Sequence, residues 1–461
     1  MEHLMAVILA AGEGKRMKSK NSKVVSKACG KALIEWVCKA VEDAGITESV
    51  VVVGHRADQV KECLGDRVKY AVQEQQLGTG HAVMQAEDYL KNKEGYVFIL
   101  YGDTPLITSK TISDTIEYHR KNGCSATVIT AEFDDPTGYG RIIRDGEGNV
   151  VKIVEHRDAT DEEKKVKEIN SGMYCFTIKD LVEALRRINN NNAQGEYYIT
   201  DTLSILVDMG LKVGTVKVED PDEVLGINDR VQLYKASEII RKRILERHMR
   251  QGVTIIDPNT TYIDEEVEIG IDTVIYPGTI LEGSTRIGED CVIGPNSRLV
   301  SSKVGNGVEI ANSVVVESSI DDDTKVGPFA YLRPGSSVGK KVKIGDFVEI
   351  KNSVIGDKTK IPHLAYIGDA DVGRNTNIAC GVITVNYDGK KKSRTIIGSN
   401  AFVGCNVNLV APVEVKDNSY IAAGSTITEE VPENSLAIAR SRQVLKEGWV
   451  IRKGMQRKEK D

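Results

Sequence analysis

After Gly252 aliphatic residues recur every six positions, and few folds accept that period. Ile269, Ile275, Leu281, Ile287, Ile293 and Leu299 fall six apart; after short phase slips the run resumes from Val326 to Ile350 and again from Ile397 to Ile427. A helix repeats at about 3.6 residues and a strand at about 2, so neither accounts for it. A hexapeptide repeat does: one aliphatic side chain per short strand points inward, and three strands close one coil of a left-handed parallel β-helix. The small residue after each aliphatic position is expected to let the backbone turn. At about 18 residues per coil and about 4.8 Å between coils, this stretch predicts roughly ten coils. VNYDGKKKSR, between Thr384 and Thr395, does not fit inside a coil and reads as an excursion loop.

The first half has a different grammar. MAVIL, Ser49 to Val53, KYAVQ and YVFILYG read as strands, with helices around Leu33 to Ala44 and His81 to Leu90. That alternation predicts an α/β, Rossmann-like parallel sheet covered by helices. From Asp229 to Gln251 a charged stretch carries Leu233, Ala236, Ile240 and Ile244 at helical spacing and reads as a linker helix, with His248 as a solvated surface residue. The expected domains are therefore 1–228, a linker helix at 229–251, a β-helix at 252–441 and a tail at 442–461.

Charged residues make up 28% of the 461 positions but nearly cancel to −6, so no overall field points to nucleic acid or an anionic membrane. Nothing approaches the roughly 20 apolar residues of a membrane span, and the first apolar run leads into a glycine-rich loop, unlike a signal peptide. The eight scattered cysteines lack metal-type spacing and suggest reduced thiols in a cytoplasmic protein.

The loop after the first strand is LAAGEGKRM, Leu9 to Met17. Gly12 and Gly14 leave room for phosphate, and Lys15, Arg16 and Lys23 bring cations to the same turn, a combination that favours a triphosphate. The spacing is neither that of a dinucleotide fingerprint nor that of a P-loop. In QEQQLGTGHA, Gln73 and Gln76 precede Gly78-Thr79-Gly80, where amide edges and bare backbone could read a flat base. YGDTPLI places Asp103 at the C-terminal end of a strand, where open α/β sheets hold ligands and a carboxylate beside phosphates suits Mg²⁺.

These segments, with GYGR (Gly138 to Arg141), IVEHRDAT, INSGMY and EYYITD, resemble sugar-1-phosphate nucleotidyltransferases. Over nearly its whole length the chain is similar to the bifunctional N-acetylglucosamine-1-phosphate uridyltransferase and glucosamine-1-phosphate acetyltransferase family. The resemblance implies that Leu9, Ala10, Ala11 and Gly12 line the nucleotide site, that Arg16 and Lys23 meet phosphates, and that Gln73, Gly78 and Thr79 meet the uracil side. It implies that Gly140, Glu155 and Asn170 hold the sugar, and that Asp103 with Asn228 holds Mg²⁺. Lys15 stands where the family usually has Thr, and SKVV around Lys23 replaces PKVL.

In the β-helix half, Arg333, Lys351, His363, Tyr366, Asn377, Asn386, Tyr387 and Arg440 interrupt aliphatic repeats where solubility alone asks for no Tyr or His. The resemblance makes His363 the general base that deprotonates the sugar amine as it attacks acetyl-CoA. Nearby cations are expected to keep its imidazole neutral. Arg333, Lys351, Tyr366 and Asn377 would hold glucosamine-1-phosphate, and Cys380, Asn386, Tyr387, Cys405, Ala423 and Arg440 acetyl-CoA, the two cysteines through backbone or packing. The implied product is UDP-N-acetylglucosamine, a precursor for peptidoglycan, made from glucosamine-1-phosphate, acetyl-CoA and UTP by a homotrimer. Two other readings are a single-activity nucleotidyltransferase with a regulatory β-helix and a non-enzymatic protein of the same layout. His363 with Asn386 and Tyr387 argues against the first, and Arg16, Lys23 and Asp103 against the second.

Overall fold

The computed structural model describes residues 3–457 and divides into two compact units, Met1–Arg243 and Ile244–Asp461. The division falls within a 21-residue helix, Arg230–Arg250.

In the first unit strand His3–Ala10 lies between Glu48–Val53 and Gly95–Tyr101, parallel to both. Lys69–Val72 extends the parallel edge. On the other side Glu168–Thr177 runs antiparallel to Gly95–Tyr101 and to Ala126–Glu132, which pairs in parallel with Val213–Lys217. A hairpin of Arg141–Arg144 and Val150–Val154 joins through the pairing of Ile169 with Arg141. The first strand is apolar throughout because both faces are covered: Met5, Val7 and Leu9 enter one core and Ala6, Ile8 and Ala10 the other. Leu33–Asp43 and Ser109–Asn122 are helices, the second capped by the Thr108 side chain. The helix expected from His81 to Leu90 is two short ones, Thr79–Met84 and Glu87–Leu90.

In the second unit short strands of two to four residues stack into three parallel sheets of 11, 10 and 9 strands, each of the first nine coils contributing one strand to each sheet in that order. Ile275, Ile293, Ile310, Val326, Ile344, Ile361 and Ile378 form one buried column, each at the same place in its coil. The glycines that follow the buried residues serve mainly a purpose other than turning. A Cβ on Gly270 would lie 2.6 Å from the backbone of Gly288 in the next coil, and one on Gly356 would lie 2.6 Å from the backbone of Arg374. The small residue is needed for close stacking; only some of these glycines, such as Gly294 at φ 103° and Gly327 at φ 104°, also sit in the left-handed region. Buried Thr and Ser hydroxyls at the corners donate to backbone carbonyls, as Thr359 does to Gly373 O at 2.7 Å.

His248 departs from expectation. It is 2% exposed, and neither ring nitrogen has a hydrogen-bond partner. It extends the stripe of Ala236, Ile240 and Ile244, all buried, by one more turn of the helix. Burial holds its pKa down at about 4, with the neighbouring Arg247 cation acting in the same direction. Among the described residues no helix is long and apolar enough to cross a membrane, and none of the eight cysteines forms a disulfide.

Candidate active sites

The loops at the C-terminal ends of the central strands enclose two neighbouring cavities. The first, about 310 Å³, is lined by Leu9, Ala10, Ala11, Gly12, Lys23, Gln73, Gln76, Gly78, Thr79 and Glu196 among others. The second, about 300 Å³, is lined by Arg16, Thr137, Gly138, Tyr139, Ser171, Gly226 and Asn228 among others. Tyr101 and Asp103 line both and form the wall between them. Tyr101 is a site residue that sequence reasoning missed, since it ends a strand that reads as core; burial raises its phenol pKa.

Gly12 faces open space, with nothing within 4 Å of where a Cβ would stand, which leaves its backbone open to a ligand. Gly14 sits at φ 62° against Lys23, whose Cβ would lie 2.8 Å from a Cβ there, so the glycine brings the two cationic turns together. Lys15 departs from the expected phosphate cluster: it is exposed, pairs with Glu13 at 2.5 Å and lines neither cavity. Gln73 is buried, and its amide nitrogen lies 3.2 Å from Gly78 O and 3.1 Å from His81 Nδ1, so its N–H edge is committed within the protein. Gly140, Glu155 and Asn170 come together, a Cβ on Gly140 lying 3.5 Å from Asn170 Cβ and from Glu155 Oε1, although none of the three lines either cavity. Burial raises the Glu155 pKa.

At the wall between the cavities, the Lys23 ammonium pairs with the Asp103 carboxylate and donates to Asn228 Oδ1 at 3.1 Å. The Asn228 amide nitrogen is turned to Gly226 O at 3.3 Å, which aims its oxygen at the lysine. Two oxygens of the kind a hard cation prefers thus converge on a point already held by a positive group. Among the described residues no three His, Cys, Asp or Glu side chains cluster as metal ligands, so a cation here would depend on water and substrate oxygens for the rest.

In the second unit most of the predicted residues fall on the two edges of the ten-strand sheet, Asn377 and Tyr387 being the exceptions. At the edge shared with the eleven-strand sheet, His363 Nδ1 lies 2.6 Å from Asp346 Oδ1, its register partner one coil earlier. The expected neighbouring cations are replaced here by a carboxylate, whose pKa the imidazole lowers. The pairings of Lys360 with Asn377, Asn377 with Phe402 and Phe402 with Tyr420, continued three residues on, place Cys380, Cys405 and Ala423 in the same column as His363. Asn406 N donates to Cys380 O and Gly424 N to Cys405 O, both at 2.8 Å, and Arg440 donates to Ala423 O at 3.0 Å. Cys405 is exposed, so its side chain does not pack within the chain. Asn377 is half-buried on the eleven-strand sheet.

The opposite edge gathers the rest. Lys351 Nζ lies 2.9 Å from Asp369, which also accepts from Asn352 at 2.7 Å and from Asn386. Asn386 approaches the Tyr366 hydroxyl at 3.5 Å, and Arg333 pairs with Glu349 at 2.8 Å. Asp369, buried at the centre of this cluster, was not singled out from sequence. Tyr387 is exposed in the excursion loop and donates to Gly389 O at 2.7 Å.

A strand-and-loop nucleotide cavity in one unit and a histidine-bearing coil stack in the other define a nucleotidyl transferase joined to a hexapeptide-repeat transferase. The nucleotidyl transferase family model matches residues 5–221, and the bacterial transferase hexapeptide model matches residues 266–300 and 394–429. The bifunctional protein GlmU of Acetivibrio thermocellus is 70% identical over 461 residues, all of both chains. That of Caldanaerobacter subterraneus is 62% identical over 98% of this chain and all of the relative, and that of Clostridioides difficile 55% identical over 97% of each. The chain belongs to the bifunctional GlmU family.

Proposed function

We infer that the chain makes UDP-N-acetylglucosamine in two reactions: acetyl transfer from acetyl-CoA to glucosamine-1-phosphate, then transfer of UMP from UTP to N-acetylglucosamine-1-phosphate with release of pyrophosphate. The observation that carries the reading is the presence in one chain of both centres, the Lys23–Asp103–Asn228 junction and the His363–Asp346 pair.

In uridylyl transfer the sugar phosphate oxygen attacks the α-phosphorus and pyrophosphate leaves, so the protein's task is placement and charge neutralisation. Leu9 to Gly12 with Gly78 and Thr79 form the wall for the nucleoside, and Arg16 and Lys23 meet the phosphates. Gly140, Glu155 and Asn170 frame the sugar. Asp103 and Asn228 hold Mg²⁺, which neutralises phosphate charge when bound. In acetyl transfer the Asp346 carboxylate accepts a hydrogen bond from Nδ1–H of His363, which leaves Nε2 free to take the proton of the attacking amine. Arg333, Lys351, Tyr366 and Asn377 hold the amino sugar phosphate, and the column of Cys380, Cys405 and Ala423 with Arg440 presents backbone to acetyl-CoA alongside Asn386 and Tyr387.

The functional protein is a homotrimer. Phe329, Phe347 and Leu364 are 57%, 59% and 58% exposed, in left-handed backbone at φ 60°, 58° and 40°, and the two rings stack at 5.5 Å. Exposed apolar residues in a strained conformation, one of them next to His363, favour burial against another copy. The split of the acetyl-transfer residues between two edges of one sheet supports sites completed by a neighbouring subunit. Scattered cysteines without a disulfide support a cytoplasmic setting. The test is to incubate the protein with glucosamine-1-phosphate, acetyl-CoA, UTP and Mg²⁺, each omitted in turn. UDP-N-acetylglucosamine forms only from the full mixture, and its absence there would refute the reading.

A further inference from the structure

We propose that the Lys23 ammonium is a placeholder for the divalent cation: it holds the point between Asp103 and Asn228, and it must leave before the metal enters. The proposal rests on the reading of those two residues as metal ligands.

Lys23 makes both contacts that a cation at this point would make, to the Asp103 carboxylate and to Asn228 Oδ1. It is poorly placed to shift aside while keeping them. The Lys23 and Asp103 side chains are only 13% and 17% exposed, and the lysine stem is packed against Gly14. Ile227 N donates to Asp103 O at 2.9 Å and Asn228 N to Gln232 Oε1 at 2.7 Å, so both acceptors are held by their own backbones. With Asp103 as their shared carboxylate, a dication and an ammonium side by side would repel each other in a partly desolvated site. The two therefore exclude one another. Displaced from Asp103, the ammonium needs another anionic partner, and a nucleotide phosphate provides it from the adjoining cavity. Metal and nucleotide consequently enter as a coupled pair, and metal alone is kept out. A released lysine is also a lysine freed for the phosphates, so one side chain fulfils two roles in sequence.

The experiment is titration of the full-length protein with Mn²⁺, free ion being counted by electron paramagnetic resonance, with and without UTP. Lys23→Met, which keeps the stem and removes the charge, is expected to bind Mn²⁺ without UTP about tenfold more tightly than the wild type, the scale of a lost hydrogen-bonded charged competitor. Lys23→Gln serves as a second uncharged variant should the first fail to fold, and Lys23→Arg keeps the weak binding. UTP should tighten Mn²⁺ binding strongly in the wild type and much less in the uncharged variants. Unchanged or weaker Mn²⁺ binding by folded Lys23→Met or Lys23→Gln, with Asp103→Asn still weakening it, would overturn the placeholder and leave the metal site standing. If Asp103→Asn left Mn²⁺ binding unaltered in the wild-type and Lys23→Met backgrounds, both would fall.

Discussion

Asp346 Oδ1 lies 2.6 Å from His363 Nδ1, although 17 residues separate the two in sequence. The contact holds the ring through Nδ1. His363→Ala is expected to slow acetyl transfer by about 10²- to 10⁴-fold, the usual loss for a positioned base, while uridylyl transfer stays near wild type. Asp346→Asn should lower kcat by about tenfold with little change in KM, because it acts through the ring's orientation. Steady-state kinetics of the two half-reactions check both, and full acetyl-transfer activity in His363→Ala would make the residue structural.

Asp103→Ala is expected to abolish uridylyl transfer and spare acetyl transfer, because the groups that surround it all belong to the first unit. Equal loss of both activities in a folded variant would contradict two independent sites.

Stability should respond to pH through His248. Its folded pKa of about 4 lies below the unfolded value of about 6.5, so the unfolded chain binds the extra proton between those limits. Stability contributed by keeping it neutral is present above about pH 6.5 and is lost as pH falls toward 4, by about 3 kcal/mol in all. His248→Leu should raise the melting temperature and flatten its fall over this window, seen by calorimetry from pH 7 to 4. His119, whose pKa burial also holds at about 4, keeps its share of the slope.

Phe329→Asp combined with Phe347→Asp should convert the proposed trimer to monomers in sedimentation velocity. Acetyl transfer should fall by at least about 10²-fold, the scale set by loss of positioned groups, and uridylyl transfer should persist. A trimer that survives both substitutions would place the interface elsewhere.

A chain ended near residue 228 would lose Arg243, which donates to Leu106 O at 2.8 Å, and Ser237, whose carbonyl accepts from Cys29 at 3.6 Å. Ending after Arg250 should preserve uridylyl transfer and a cooperative melt, whereas ending at 228 should lower the melting temperature. Equal melting of the two truncations would show that the helix adds nothing to the first unit.

The coil stack was legible because each coil must bury one aliphatic residue per side, and that requirement is written directly as the six-residue period of Ile287, Ile293 and Leu299. The cations of the nucleotide loop were legible for the same local reason, although Lys15 turned outward to Glu13. Asp346, Glu349 and Asp369 were not, since each meets its partner only when coils stack 16 to 18 residues apart, and an acid on a turn carries no mark of what lies above it. His248 did carry a mark: it falls four residues after Ile244 on the apolar stripe, and the residue type alone suggested solvent.

The excursion after Asn386 leaves and rejoins the stack at one place, pinched shut where Ser393 N donates to Asn386 O at 2.9 Å. Asp371 and Ile396 are register partners 25 residues apart, where Val354 and Asp371 are 17 apart, yet the ladder continues unbroken to Glu414. The extra length is therefore invisible to the coils above and below. Between the pinch points such a segment can lengthen or shorten while the ladder keeps its register, whereas Arg394 at its exit, paired with Asp371, ties the loop's end to the frame.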